Sequence, residues 1–416
     1  MKRIILITCY ILICFTACSQ TDKTPLIRKN YPNPTPGEIT ILASTPIPDG
    51  MLPTRDAYED LIDCGFNVAL TDGNKVEVCK QFSMIRGLDL KFLLTNSRLR
   101  SENYMDYITA FKDEPQLAGW RLVDEPRFNQ LKELKEAYKR LMEADSTHLI
   151  YINLVGANIA KFSGPSKTYK DYLNLINSTF KPKLWSYDLY PFAIRNGELK
   201  IGYDTFYSDL ELFRDMQNET GYPFWAYCQS MAFKNNAVER PAATLPFLRF
   251  EAFSALAYGA QGLVYWTYGQ RYSSEYEEYF SALINLDGTK SKAWYDAQKV
   301  NREIKKFNNV FYQCMVKEVF HTGEIYPGTK RLKGGIGPFS KIKSGKDGIL
   351  VSYLSSNEKN YIVIVNHSVE KSQKLNFILK PGRQVRLISS SNEMCYNSSI
   401  FSLKVDKGSY LIFQEI

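Results

Sequence analysis

Residues 119–154 read GWRLVDEPRFNQLKELKEAYKRLMEADSTHLIYINL. An apolar run, Gly119–Val123, is stopped by Pro126. A helix-length amphipathic stretch, Leu131–Ala144, follows, and a second apolar run, Leu149–Leu154, closes the unit. Apolar strand, helix, apolar strand is the pattern of a parallel pair, because parallel neighbours need a long crossover and are covered on both faces. The unit repeats in both directions. Strand-like runs lie at 39–44, 67–71, 91–95, 183–189, 223–228 and 262–267. Helical stretches lie at 55–64, 75–86, 103–112, 169–180, 205–219, 242–258 and 293–307. With the quoted unit this makes eight strands and eight helices, and the span of about 270 residues is that of a (β/α)8 barrel. An open doubly wound sheet is the competing arrangement. It carries a Gly-rich phosphate turn after its first strand, whereas Ser44-Thr45-Pro46-Ile47-Pro48 stands there.

From about residue 345 the helical texture stops. Short runs at 348–353, 361–366, 375–379, 385–389, 401–405 and 409–414 are separated by turns such as Lys380-Pro381-Gly382 and Asp406-Lys407-Gly408. This reads as a small antiparallel β-sandwich. Residues 312–344, with Gly323, Gly328, Gly334, Gly335 and Gly337, read as a linker. At the other end, Lys2 and Arg3 precede an apolar run, Ile4–Phe15, too short for a membrane span and laid out as an export signal. It ends Phe15-Thr16-Ala17-Cys18, which resembles a bacterial lipobox. That resemblance implies lipid on Cys18, removal of residues 1–17, a polar tether at 18–36 and a place in the cell envelope.

Composition narrows the function. Lys and Arg exceed Asp and Glu by 52 − 44 = +8, but the charge is spread, without the basic block of a nucleic-acid surface. Hydrophobic residues at 44% exclude disorder as the main state. Aromatics at 14% suit sugar stacking as well as ordinary cores. Beyond Cys18 the thiols are Cys64, Cys79, Cys228, Cys314 and Cys395, whose spacing fits no zinc pattern; they read as buried free thiols. With His148, His321 and His367 as the whole histidine complement, no metal or other cofactor is expected.

In a parallel barrel the chemistry sits at the C-terminal ends of the strands, and polar residues gather there. Strand four ends Trp120-Arg121-Leu122-Val123-Asp124-Glu125-Pro126. Strand six ends Trp185-Ser186-Tyr187-Asp188-Leu189-Tyr190-Pro191. Strand seven ends Trp225-Ala226-Tyr227-Cys228-Gln229-Ser230, and strand eight ends Tyr265-Trp266-Thr267. Asp-Glu-Pro also opens a helix well, and a Tyr beside a strand end can be core. Taken as chemistry, carboxylates among rings make a sugar site. One carboxyl protonates the leaving oxygen and a second group stabilises the cation from the other side.

The strand-four ending resembles the Asn-Glu-Pro motif of clan A glycoside hydrolases, with Asp124 in the Asn position; the resemblance implies that Glu125 is the general acid/base. The Asp-Glu pair also resembles substrate-assisted hexosaminidases. Asp188-Leu189-Tyr190-Pro191 resembles an Asp-x-Tyr-Pro segment of secreted bacterial barrel glycosidases. Asn285-Leu286-Asp287-Gly288-Thr289, running to Asn301-Arg302-Glu303-Ile304, resembles family 42-like β-galactosidases. Clan A enzymes carry a nucleophilic Glu at the end of strand seven, where this chain has Gln229. The second group is therefore Asp188, Asp124 or the substrate's own acetamido group.

The expectation is an α/β protein, a (β/α)8 TIM barrel over 37–311, a linker over 312–344 and a sandwich over 345–416. Its function would be hydrolysis of O-glycosidic bonds in an oligo- or polysaccharide by Glu125, Asp188 and Asp124. Trp120, Tyr187, Tyr190, Trp225, Gln229 and Trp266 would bind the sugar. Burial beside Trp120 or a neighbouring carboxylate would keep the acid protonated. The alternative is a non-catalytic carbohydrate-binding surface lipoprotein on the same barrel, which Gln229 favours. No nucleic-acid partner is expected; the membrane would be reached through the Cys18 lipid.

Overall fold

The computed structural model describes residues 29–157, 164, 166–389 and 393–416. The leader (1–17), Cys18 and the tether up to residue 28 lie outside the described residues. Eight parallel strands close into a ring. They are β1 (Thr40–Ala43), β2 (Val68–Thr71), β3 (Lys91–Thr95), β4 (Leu117–Asp124), β5 (Leu149–Val155), β6 (Trp185–Asp188), β7 (Phe224–Gln229) and β8 (Gly262–Trp266). A helix follows each: α1 (Arg55–Asp63), α2 (Lys75–Ile85), α3 (Tyr104–Phe111), α4 (Leu131–Ala144), α5 (Tyr169–Phe180), α6 (Tyr203–Thr220), α7 (Leu245–Ala257) and α8 (Lys292–Lys306). The starts are locally encoded. Asn74 and Thr168 cap α2 and α5, each with an acid three residues on that bonds back to the cap.

Strand alternation divides the barrel core in two. Inward positions such as Leu42, Val68, Leu93, Leu149, Tyr151, Trp225 and Val264 fill the interior. Outward positions such as Ile41, Phe92, Trp120, Ile152, Phe224 and Tyr265 pack against the helices. Gly262 admits the Trp225 ring, since a Cβ there would lie 2.5 Å from it.

The C-terminal part packs a six-stranded antiparallel sheet against a three-stranded one. The region expected to be a linker contributes to both. Met315–His321 pairs with Ile349–Ser356, and Phe339–Lys343 pairs with Gln373–Leu379. Its glycines form turns between paired strands; they do not loosen a tether. The six-stranded sheet docks on α7: Ser352 Oγ donates to the Ala257 carbonyl (2.7 Å), and Tyr410 stacks on Phe253 at 3.5 Å. At this junction Tyr258, His321 and His367 form a buried chain, with Tyr258 OH 2.8 Å from His321 Nε2 and His321 Nδ1 3.1 Å from His367 Nε2.

A further sheet was not expected. The loops after β6, β7 and β8 each send out short strands, Phe192–Arg195 with Glu198–Ile201, Ala232–Asn235 with Glu239–Arg240, and Glu277–Ser281. They join into one five-stranded antiparallel sheet at the barrel mouth. No disulfide links the described cysteines; Cys64, Cys228 and Cys314 are buried as expected, whereas Cys79 and Cys395 are exposed. Among the described residues no helix is long and apolar enough to cross a membrane.

Candidate active site

The strand ends open into a cavity of about 1270 Å³ whose lining among the described residues runs from Ser44 to Tyr279, with none from the sandwich. Asp124 and Glu125 both line it. Consecutive strand residues ordinarily face opposite sides. Here Glu125 adopts φ 43°, in the left-handed region, and this turn brings both carboxylates to the same space.

Asp124 is fixed from two sides. Arg121 Nη2 pairs with it at 2.5 Å, and Asn153 Nδ2 on β5 donates to it at 3.0 Å. Burial opposes the Arg121 charge, but Asp124, then Tyr227, hold the guanidinium above its ordinary value. The same Asn153 amide donates to Asp188 at 3.2 Å, and its carbonyl accepts from Ser186 Oγ at 3.1 Å. Ser186 in turn lies 2.7 Å from Tyr151 OH, which reaches Tyr227 OH at 3.4 Å. The network thus orients Asn153 from below.

Asp188 hydrogen-bonds to Glu125. Burial, then the charges of Glu125 and Asp124, push the Asp188 carboxyl well above its usual range, while the Asn153 amide works the other way. Two carboxyls in contact cannot both ionise cheaply, so the pair retains one proton near neutrality. Across the mouth stands an aromatic wall. Trp266 packs on Tyr190 (5.6 Å between centroids), Phe233 (5.2 Å) and Tyr279 (6.1 Å).

Of the residues singled out in the sequence, Asp124, Glu125, Asp188, Tyr190 and Trp266 meet at this cavity. Four others do not. Trp120 is wholly buried among the helices, its indole N–H donating to Asp145 (2.9 Å). The neighbour that keeps a proton by Glu125 is Asp188, not Trp120. Tyr187 points outward and stacks on Phe213 of α6 at 3.9 Å. Trp225 points inward but one layer too deep, packed on Tyr151 at 5.6 Å. Gln229 is sealed beneath the β7 loop: its amide donates to the Pro241 carbonyl (3.0 Å), and its backbone N–H meets Glu251 of α7 at 3.2 Å.

Residues that the sequence reading passed over complete the site: Arg121, Asn153, Tyr227, Arg195, Arg240 and Glu277 line the cavity. Arg121 and Asn153 carried a usable signal, each a polar residue inside an otherwise apolar strand. The other cluster formers gave none. Among the described residues no group of His, Cys, Asp and Glu is arranged to hold a metal ion.

Residues 155–307 match the Glyco_hydro_42 family, described as beta-galactosidase. No curated protein matches the chain by sequence. Among solved structures, a catalytic mutant of a family 42 beta-galactosidase from G. stearothermophilus superposes with TM-score 0.64 at 10% identity, over 94% of this chain and 100% of that one. The beta-galactosidase from Bacillus circulans sp. alkalophilus gives TM-score 0.61 at 10% identity over the same shares, 94% and 100%. A glycoside hydrolase family 5 structure from Bacteroides vulgatus gives 0.56 at 10% identity, over 91% and 88%. At such identities the structures speak for the fold, and the sequence match covers the second half of the barrel. Over residues 155–307 the chain is thus similar to the family 42 beta-galactosidases, and its barrel fold is the one these solved structures share.

Proposed function

We propose that the protein hydrolyses O-glycosidic bonds of an oligosaccharide or polysaccharide, with Glu125 as the acid that protonates the leaving oxygen. The observation that carries this reading is the Glu125–Asp188 carboxyl pair facing a cavity of about 1270 Å³. A general acid needs a proton at neutral pH, and a carboxyl held against a second carboxyl keeps one. Asp124, clamped by Arg121 and Asn153, is placed as a fixed acceptor for a sugar hydroxyl. Tyr190 and Trp266 offer ring faces to the sugar. The cavity is larger than a single small-ligand pocket, which favours a chain of sugars over one.

Asp188 does not serve as the opposing group in this mechanism. Paired catalytic carboxyls stand about 5–5.5 Å apart in retaining enzymes and about 6.5–9.5 Å in inverting ones, to leave room for the sugar or for water. Hydrogen-bonded carboxyls are on the same side of the bond. In a ring of eight strands the wall facing β4 is β8, and of the acids on the arm after β8 it is Glu277 that lines the cavity, held by Asn235 Nδ2 at 3.4 Å and by Tyr279 OH. We assign Glu277 the facing role.

The test is turnover of a panel of aryl glycosides and neutral and charged oligosaccharides by wild type, Glu125→Gln and Glu277→Gln. Loss of turnover in both variants supports the assignment. Full activity of Glu277→Gln moves the second role to the substrate's acetamido group. Gln229 favours a second reading, a carbohydrate-binding protein without catalysis, and tight sugar binding with no cleavage anywhere in the panel selects it. In either reading a lipid on Cys18 would hold the protein at the cell envelope; two or more acyl chains anchor firmly where one does not. Cys18→Ala that still fractionates with membranes refutes the anchor.

A further inference from the structure

Four arginines line the cavity: Arg121, Arg195, Arg240 and Arg271. Two are spoken for, Arg121 by Asp124 at 2.5 Å and Arg271 by Asp49 at 3.9 Å. Arg195 and Arg240 have no carboxylate within ion-pair distance among the described residues. They lie on neighbouring strands of the mouth sheet, where Glu239, the residue before Arg240, pairs with Ile194, the residue before Arg195. Their own neighbouring acids are engaged elsewhere, Glu198 by Lys200 at 2.5 Å and Glu239 by Lys234 at 3.9 Å.

Arg240 is held as a built element. Its Nη1 donates to the Tyr190 carbonyl (2.5 Å) and the Phe192 carbonyl (2.8 Å), which fixes the guanidinium over the Tyr190 ring. Its Nε is buried without a partner. Burial and the adjacent charge of Arg195 push the Arg240 guanidinium below its ordinary value, against the pull of Tyr190 and Glu251. Glu251 behind it is wholly buried, and burial raises its carboxyl well above the usual range. Two uncompensated guanidiniums side by side, one of them partly dehydrated, raise the free energy of the empty site and lower it when an anion arrives. The Tyr190 ring lies within electrostatic reach of both Arg240 and the acidic cluster of Asp188, Asp124 and Glu125, and all of them line one cavity.

We propose that Arg195 and Arg240 form an anion subsite, and that the sugar beside the scissile bond carries an acidic substituent, a carboxylate or a sulfate. This rests on reading the cavity as a sugar site. A planar guanidinium fork binds either oxyanion through charge-assisted hydrogen bonds.

The experiment is calorimetric titration of the Glu125→Gln protein, which does not turn the ligand over, with matched oligosaccharides: a neutral galactose-terminated one, its uronate counterpart and its 6-sulfated counterpart. The expected result is at least about tenfold tighter binding of one acidic member than of the neutral one, shrinking as salt rises from about 20 to about 200 mM. The uronate and sulfate arms say which anion is preferred. Adding Arg240→Met or Arg195→Gln should erase the preference, read as the ratio of acidic to neutral affinity within the same variant. If Arg240→Met does not fold, Arg195→Gln, at an exposed position, carries the test. Equal or tighter neutral binding, no acidic binder, or a preference that survives both substitutions overturns the subsite. Glu125-dependent cleavage of neutral sugars without any acidic preference overturns the subsite alone. Acidic binding that wild type never follows with cleavage overturns the hydrolase and leaves the subsite standing.

Discussion

Two clusters of ionisable groups belong to the same barrel, one at its mouth and one on its helical flank against the sandwich, and they behave differently. At the mouth, Asp124, Glu125 and Asp188 share a hydrogen-bond network with Asn153 and face a cavity. At the junction with the sandwich, His321 and His367 share a hydrogen bond, lie fully buried and take no part in lining that cavity. Burial shifts protonation in both, raising the Asp188 carboxyl and lowering His367 to about 3. A perturbed group marks a site for chemistry when substrate can reach it; otherwise it marks a seam. The mouth cluster raises a carboxyl where a ligand can reach it, and the junction cluster disfavours a charge where none can.

Four measurements would break or sharpen that contrast. The largest effect is expected from Glu125→Gln, which keeps the shape and removes the acid. The kcat on a natural glycoside should fall by about 10²–10⁴-fold, and far less on a substrate with a good leaving group. An equal fall on both would assign Glu125 to binding.

The second concerns the seam. A histidine whose folded value lies below its free value resists protonation in the fold. Its contribution is complete above pH ~6.5 and drains as the pH falls toward about 3. Denaturant unfolding should therefore show stability falling over that window, by up to roughly 4 kcal/mol from His367 alone. His367→Asn should flatten the slope between pH 6.5 and 4; an unchanged slope would place the acid sensitivity elsewhere.

The third returns to the mouth. Activity that depends on the proton of the Glu125–Asp188 pair is lost as pH rises through the raised value. Asp188→Asn removes the carboxyl that burial and its neighbours hold above the usual range, so the alkaline limb of kcat should move to lower pH. A limb that stays put would detach Asp188 from the acid. The smallest effect is expected from Trp266→Ala, about a tenfold rise in KM with kcat nearly kept, as loss of a ring face gives.

The sequence yielded the barrel almost residue by residue, because each strand is a continuous apolar run and each crossover an amphipathic helix. Leu131–Ala144 and Tyr169–Phe180 have the same bounds in the structure as in the reading. It yielded the site only in part. Position at a strand end says that a residue is near the mouth, and alternation decides whether it points there. Tyr187 and Asp188 are neighbours, yet one faces α6 and the other the cavity. Trp225 and Tyr227 share a direction and differ by one layer, so only Tyr227 reaches the open space. Glu125 defeats alternation altogether through its left-handed turn. The arms after β6 to β8 were invisible because strands of two to five residues inside loops leave no periodicity to read.

Those arms have one more consequence. In most barrels the loops at the mouth can be exchanged one at a time, and a designer treats each as a separate part. Here three of them are stitched by main-chain hydrogen bonds into one panel, in the order Glu277–Ser281, Ala232–Asn235, Glu239–Arg240, Phe192–Arg195, Glu198–Ile201. Transplanting the β7 loop would strand the ladder partners of both others, and transplanting either outer loop would strand its partner on the β7 loop. A recipient scaffold must take the panel whole, and directed evolution of this mouth should advance by paired changes across Phe233–Arg240 and Ile194–Glu239, not by independent steps.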